Sequence, residues 1–422
     1  MAHAEYLIAG SSHAALEALA AIRVMDPRAG AALVTRDRHL PYSPTILPYV
    51  VSGQSHPDSI ALRDEAYFAD HDVAFVRGAA VASVDARRNT VELTTGDEWH
   101  YDKLLLATGA TPAVPPVPGL DEVPYYVLRT LDDALGLRRA IADARTAVVL
   151  GAGLVGTHAA ENLAHAGLEV ALVEKEPQML PGYFAEPASD LIAGAFAGRG
   201  VRLCLGRTVV EAARGNGSGA VVVRLDDGTE IVADLLLVAT GVRPVVDYLA
   251  GSGIEVEDGI LVDDAMRTNI DNVWAAGDVA QARDFYGTGK VVTGILPDAV
   301  EQGRIAGMAM VDDPARRPYP GGVPLNTYTF FGRQAISVGI GAAGAPAADW
   351  EVVEAFEPDA GRHQKIVLRD DRLIGISAVG RALDPGIMWQ LILRRTDLGS
   401  VKEAFVARPL ETGRALMSKI WR

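Results

Sequence analysis

The chain has 422 residues, 49% hydrophobic and 22% charged, which bounds it to a folded protein of two or three domains and excludes wholesale disorder and collagen-like order. Its single cysteine, Cys204, excludes a disulfide framework, a thiolate zinc site and any iron–sulfur cluster ligated within the chain, and it leads us to expect a reducing cytoplasm. The net charge of −15 is uneven: residues 361–422 hold 12 Lys/Arg against 6 Asp/Glu, so the acidic excess lies in residues 1–360 and disfavours nucleic acid as a partner. In chain order, a buried strand is predicted over 6–9, so early that no signal peptide is expected. A glycine turn, a helix over 14–22 and a strand over 31–34 follow. Alternating residues over 81–101 predict a small β-meander running into a strand at 104–107. A second strand, turn and helix occupy 147–150 and 154–165, then strands at 170–173 and 235–239. A Pro- and Gly-rich stretch, 312–324, marks a boundary. Beyond it, strands are predicted at 328–331, 335–340, 351–356, 365–368 and 373–379, with helices at 388–394 and 410–420. No run approaches the roughly 20 apolar residues that span a bilayer.

Two strand–glycine–helix units carry chemistry. The more regular reads Val148-Val149-Leu150-Gly151-Ala152-Gly153-Leu154-Val155-Gly156. Gly151 permits the tight turn, Gly153 lets a pyrophosphate approach the backbone, and Gly156 allows close helix–strand packing. The helix N-terminus then offers free N–H groups to the phosphates. The next strand ends at Glu174, whose carboxylate can bind both ribose hydroxyls and would repel a 2′-phosphate, favouring NAD(H) over NADP(H). Lys175 weakens that preference without reversing it. The other unit reads Ala9-Gly10-Ser11-Ser12-His13-Ala14-Ala15, with Ser12 and Ala15 where the second and third glycines should be. Thr35-Arg36-Asp37 follows its second strand, so the expected acid is displaced by one or replaced.

Three further segments make the chain resemble the pyridine nucleotide–disulfide reductase superfamily. They are Leu104-Leu105-Leu106-Ala107-Thr108-Gly109, Leu236-Leu237-Val238-Ala239-Thr240-Gly241, and the run from Thr268 to Ala275-Ala276-Gly277-Asp278. The resemblance implies an α/β fold: an FAD domain at 1–112 and 237–318, an inserted NAD(H) domain at 113–236, and a C-terminal α+β domain at 319–422. It implies FAD contacts from Gly10, Ser12, His13, Ala14, Arg36, Asp37, Pro44, Tyr49, Val81, Thr108, Gly109, Arg129, Gly277 and Asp278. Leu296, Pro297 and Ala299 belong to the helix whose N-terminus points at the flavin pyrimidine ring. A helix end there stabilises the charge of reduced flavin by up to ~2 kcal/mol, so Asp298 is expected to face away or to cap the helix. For NAD the resemblance implies Gly151, Gly153, Leu154, Val155, Gly156, Glu174 and Gly241.

Disulfide reductases of this family carry a Cys pair, and the coenzyme A disulfide reductases and NADH oxidases one Cys, in the stretch that here reads Leu40-Pro41-Tyr42-Ser43-Pro44-Thr45-Ile46-Leu47-Pro48-Tyr49. With no Cys there and Cys204 read as a core residue, electrons must pass to something outside the chain. The resemblance therefore narrows to ferredoxin and rubredoxin reductases and to flavoprotein subunits of larger complexes. Arg36, Tyr49 and His158 depart from the reductase pattern at an adenosine-binding acid, a flavin-proximal Lys and a Glu. His158 reads either as a proton carrier or as a helix-surface or ribose-side residue. The run from Ser43 to Gly53 and the block from Asp384 to Trp421 resemble the FAD subunits (epsilon) of NADH-producing phenylglyoxylate dehydrogenase complexes. That implies an iron–sulfur partner in a hetero-oligomeric complex, docked on the basic C-terminal domain unless that charge is merely a solvated face. The rivals are a stand-alone NADH:ferredoxin or rubredoxin reductase or NADH oxidase, and a degenerate flavoprotein scaffold, which Ser12 and Arg36 would explain.

Overall fold

The computed structural model describes residues 2–215, 220–341 and 347–420. The chain divides into two compact units. The first comprises Met1–Leu47, Ser55–Thr111 and Val242–Gly322; the second comprises Pro48–Gln54, Pro112–Gly241 and Val323–Arg422.

The first unit is built on a parallel sheet with strands in the spatial order Val73–Arg77, Ala31–Thr35, Ala2–Ala9, Glu98–Leu106 and Val273–Ala275. Its central strands are near-continuous apolar runs, and Leu7, Ile8, Leu33 and Leu104 through Leu106 are wholly buried, as strands covered on both faces must be. Winding changes direction at Ala2–Ala9, so a crevice opens beyond its carboxyl end, where Gly10 stands. The expected meander is present: Val81–Asp85 and Thr90–Leu93 pair antiparallel and lead into Glu98–Leu106. Helices His13–Met25 and Leu296–Met310 lie against each other through a seam of small residues. A Cβ added at Gly303 or Gly307 would collide with the Ala14 or Ala18 carbonyl.

The second unit repeats the arrangement. Arg202–Leu205, Glu169–Glu174, Thr146–Leu150 and Leu235–Val238 form a parallel sheet in that order. Cys204 is buried in its core, and burial raises its thiol pKa. An antiparallel sheet of Val209–Arg214, Val221–Leu225 and Glu230–Ala233 stands beside it. The C-terminal block contributes five antiparallel strands in the order Leu325–Phe330, Arg333–Gly339, Arg372–Val379, Arg362–Arg369 and Glu351–Glu357. Helices Pro385–Leu393, Lys402–Ala407 and Pro409–Ile420 complete it. Trp421 lies outside the described residues. The fold is thus α/β, with two Rossmann-like units and a C-terminal α+β part. The segments 48–54 and 237–241, grouped by sequence with the first domain, belong to the second unit, as does the C-terminal block from Val323 on, whereas 319–322 belong to the first. Among the described residues no helix is long and apolar enough to cross a membrane.

Candidate functional site

The first glycine loop is shaped by backbone constraints. Gly10 has φ +133°, and a Cβ there would collide with the Ala107 carbonyl; glycine alone adopts that conformation freely. Its N–H donates to Val34 O at 2.8 Å, which fixes the turn against the neighbouring strand. Ser12 occupies the N-cap of helix His13–Met25 but does not cap it; its hydroxyl donates to the Tyr42 carbonyl at 3.4 Å. The first intrahelical bond is Leu16 N–H to Ser12 O, so the N–H groups of His13, Ala14 and Ala15 lie ahead of it, as an anion site requires. His13 Nε2 is buried without a partner, and burial lowers the ring's pKa. A buried orphan of that kind suits a polar ligand.

The remaining first-unit residues are each held by their own elements. Arg36 reaches the Ala110 carbonyl at 3.4 Å. Asp37 turns into its own loop, accepting from Tyr42 O–H at 2.5 Å and His39 N–H at 3.0 Å. Pro44 opens the turn Pro44–Ile46, and Val81 opens a strand. Thr108 Oγ1 donates to Val245 O at 3.1 Å and lies 3.0 Å from Tyr248 Oη, and Gly109 has φ +68°. Gly277, at φ +79°, donates its N–H to Gln302 Oε1 at 2.8 Å, which holds the turn carrying Asp278. In helix Leu296–Met310 the first bond is Ala299 N–H to Ile295 O. The N–H groups of Leu296 and Asp298 therefore precede it, and Pro297 has none to satisfy.

The second loop is more tightly determined. Gly151 has φ +100°, and a Cβ would strike the Ala239 carbonyl; one at Gly156 would strike the Gly151 carbonyl. Gly153, the N-cap of helix Leu154–His165, faces open space, and Val155 in the first turn is exposed. Glu174 is buried at the end of its strand. Its Oε2 accepts from Ala152 N–H at 2.7 Å and its Oε1 from Glu176 N–H at 3.0 Å, leaving a lone pair on each oxygen for a ribose. Lys175 is exposed beside Glu176. Gly241, at φ +114°, accepts from Ala113 N–H at 2.9 Å.

At several of the expected positions the structure adds particulars that the sequence does not carry. Tyr49 and Arg129 belong to the second unit, and the other residues expected around flavin to the first. Asn162 Nδ2 donates to Pro48 O at 2.8 Å, and Arg129 N–H donates to Asp133 Oδ2 at 3.1 Å. Tyr49 itself is exposed. His158 is half-buried: its ring meets Tyr328 edge-on at 4.4 Å, and burial lowers its pKa. Asp298 does not cap the helix; it is buried in the first turn, its carboxyl against Gly322 and Thr293. Sequence reasoning missed Glu161, which accepts from Phe331 N–H at 2.6 Å and from Tyr328 O–H at 3.4 Å. It also missed the Gln302–Tyr319 pair. Their one signal, a polar residue on an apolar helix face, was present at Glu161 and Gln302.

Both loops thus present the features that dinucleotide phosphates need: positive-φ glycines, uncapped helix N-termini and, in the first, a buried unpartnered imidazole nitrogen. Residues 4–303 match the family model described as pyridine nucleotide-disulphide oxidoreductase. The chain is 55% identical over 421 residues to the NADH-dependent phenylglyoxylate dehydrogenase subunit epsilon of Aromatoleum evansii, covering 100% of this chain and 99% of that one. It is 28% identical over 316 residues to a rubredoxin-NAD(+) reductase of Pseudomonas putida, covering 74% and 82%. Its fold matches the ferredoxin reductase for the CYP199A2 system from Rhodopseudomonas palustris with a TM-score of 0.80, at 26% identity, over 93% of this chain and 99% of that one. The chain belongs to the pyridine nucleotide-disulphide oxidoreductase family and is an FAD-dependent oxidoreductase of NAD(H).

Proposed function

We propose that this protein is the flavin subunit of an NAD+-reducing 2-oxo acid dehydrogenase complex acting on phenylglyoxylate, and that it receives electrons from an external iron–sulfur partner in the cytoplasm. The observation that carries this reading is the 55% identity to an epsilon subunit along the whole of both chains. In this reading FAD lies in the first unit, on Gly10, Ser12, His13, Ala14, Val81, Thr108, Gly109, Gly277, Asp278 and the first turn of helix Leu296–Met310. Arg36, exiting its strand toward Ala110, takes the adenosine side, since Asp37 is engaged within its loop. NAD(H) lies in the second unit on Gly151, Gly153, Leu154, Val155, Gly156, Gly241 and Glu174. The three-part division into flavin, NAD(H) and docking domains follows. Bound flavin supplies the exchange between a two-electron hydride and single electrons; the chain supplies binding and orientation. Thiol chemistry has no place in it, because Cys204 is the one cysteine of the chain.

The identity to rubredoxin-NAD(+) reductase favours a second reading, a stand-alone NADH-dependent reductase of a small redox protein. An anaerobic absorbance titration with NADH and then NADPH tests the shared core. The visible flavin band should bleach with NADH and barely with NADPH; a colourless chain that takes up no FAD overturns both readings. Purification from native cells then separates the two: stable co-purification with a 2-oxo acid decarboxylating subunit supports the first, and isolation as a lone reductase supports the second.

A further inference from the structure

Asp298 sits in the third position of helix Leu296–Met310 and is 4% exposed. Its Oδ2 is buried without a hydrogen-bond partner. The carboxyl packs against Gly322 and the Thr293 hydroxyl, where a Cβ on residue 322 would collide with both, and the Tyr319 hydroxyl faces it. From there a buried polar chain runs inward: Gln302 Nε2 donates to Tyr319 Oη at 3.2 Å, and Gln302 Oε1 accepts from Gly277 N–H at 2.8 Å. The carboxyl is thus tied to the turn that carries Asp278. Toward water the chain ends at Thr293, half-buried next to exposed Gly294.

An ionised carboxylate in such a place is expensive unless it is paired. No cation is paired with Asp298 among the described residues. The titratable groups facing it are Tyr319 and Glu301, the latter ion-paired with Arg304 at 2.6 Å. Burial is the dominant influence and pushes the carboxyl up to about 7. The group is therefore held where a nearby change of one charge decides whether it carries a proton.

We propose that Asp298 is the proton-holding residue of flavin reduction: a carboxyl that takes up a proton from water through Thr293 when negative charge builds at this helix end, and releases it on reoxidation. The inference rests on the placement of flavin at the first turn of helix Leu296–Met310 in the proposed function. Electrons and hydride are unaffected in number; one proton leaves water and joins an Asp298 oxygen, and no other bond forms or breaks. Asp298 here is a positioning residue for charge, not a group that touches the substrate.

The test is the flavin reduction potential of the purified holoprotein, measured by spectroelectrochemical titration from mildly acidic to mildly alkaline pH. The wild type should show a window around and above neutrality in which the potential falls more steeply with pH, because each reduction there takes up one further proton. Asp298→Asn should bind flavin and show one constant slope. Tyr319→Phe removes a hydroxyl that favours the charged carboxylate, so it should move the window to higher pH; this variant keeps the test sharp if Asp298→Asn fails to fold. The reduced-minus-oxidised infrared spectrum should gain a protonated-carboxyl band that Asp298→Asn lacks. Identical potential profiles in wild type and Asp298→Asn, or an unmoved window in Tyr319→Phe, overturn the proposal while leaving the flavin reading intact. A chain that binds no flavin overturns both.

Discussion

A carboxylate buried beside a glycine loop loses solvation, and only hydrogen bonds to its charged form compensate. Glu174 meets that demand with two backbone N–H groups, Ala152 and Glu176, one on each oxygen. The side chain is consequently fixed in orientation before any ligand arrives, with its remaining lone pairs unassigned. In Glu174→Gln the amide cannot accept on both sides, and one of the two N–H groups loses its acceptor. A hydrogen bond to a charged group is worth roughly 1.5–3 kcal/mol, so NADH should bind on the order of 10- to 100-fold more weakly in the anaerobic titration. NADPH binding should fall far less, because the repulsion of its 2′-phosphate is removed at the same time. Equal losses for both nucleotides would mean that Glu174 only shapes the loop. The position of this acid was legible from strand and spacing. Its engagement with Ala152 was not, because that contact depends on how the loop folds back over the strand end.

At the scale of elements, the contact between helices His13–Met25 and Leu296–Met310 sets the two helix N-termini of the first unit. Gly303 and Gly307 stand one turn apart, and each admits the backbone of the other helix where a Cβ would collide with a carbonyl. A collision with backbone cannot be relieved by a rotamer change. Gly303→Leu should therefore destabilise the first unit by at least the ~1–3 kcal/mol typical of overpacked cores, and it should loosen retained flavin by shifting both termini. The urea midpoint and the flavin content after dilution check this; an unchanged midpoint would mean that the helices separate at no cost. The second unit uses Gly156 for the equivalent close approach to its own loop, whereas the first unit has buried Ala15 in that place. The departure that made the first loop look degenerate is thus accommodated. The helix pattern of 296–310 was visible in the sequence. Its partner was not, since Ala14 and Ala18 lie at the far end of the chain and no local periodicity names them.

At the scale of the whole molecule, the basic character of residues 361–422 divides once the side chains are placed. Arg362 and Arg381 pair with Glu357, and Lys402 pairs with Asp371 at 2.8 Å and with Glu351. Lys365 is buried. These cations are committed within the C-terminal block and contribute little outward field, as neighbouring opposite charges cancel at a distance. Arg394 and Arg395, at the end of helix Pro385–Leu393, are exposed. If they steer an acidic iron–sulfur partner, reversing both to Glu should slow association about 10-fold or more at low salt and flatten its salt dependence. Binding that is equally tight in the double variant at every ionic strength would place the docking surface elsewhere. Composition counted these charges correctly and could not tell the buried from the exposed.

The strands, the glycine turns, the two dinucleotide units and the family they belong to were determined by the sequence itself. Each is a local pattern: an apolar run buried on both faces, a glycine where φ must be positive, a helix starting at the turn. Tertiary structure decided the rest. It set Tyr49 and Arg129 with the second unit, turned His158 against Tyr328, and gave Glu161 the Phe331 amide. It also buried Asp298 beneath Gly322 at a helix start that sequence alone would have left in water. The physical reason is common to all of them. Which groups a side chain meets, and therefore whether it is charged, paired or free to bind, depends on segments brought together from distant parts of the chain, and local spacing carries no record of that approach.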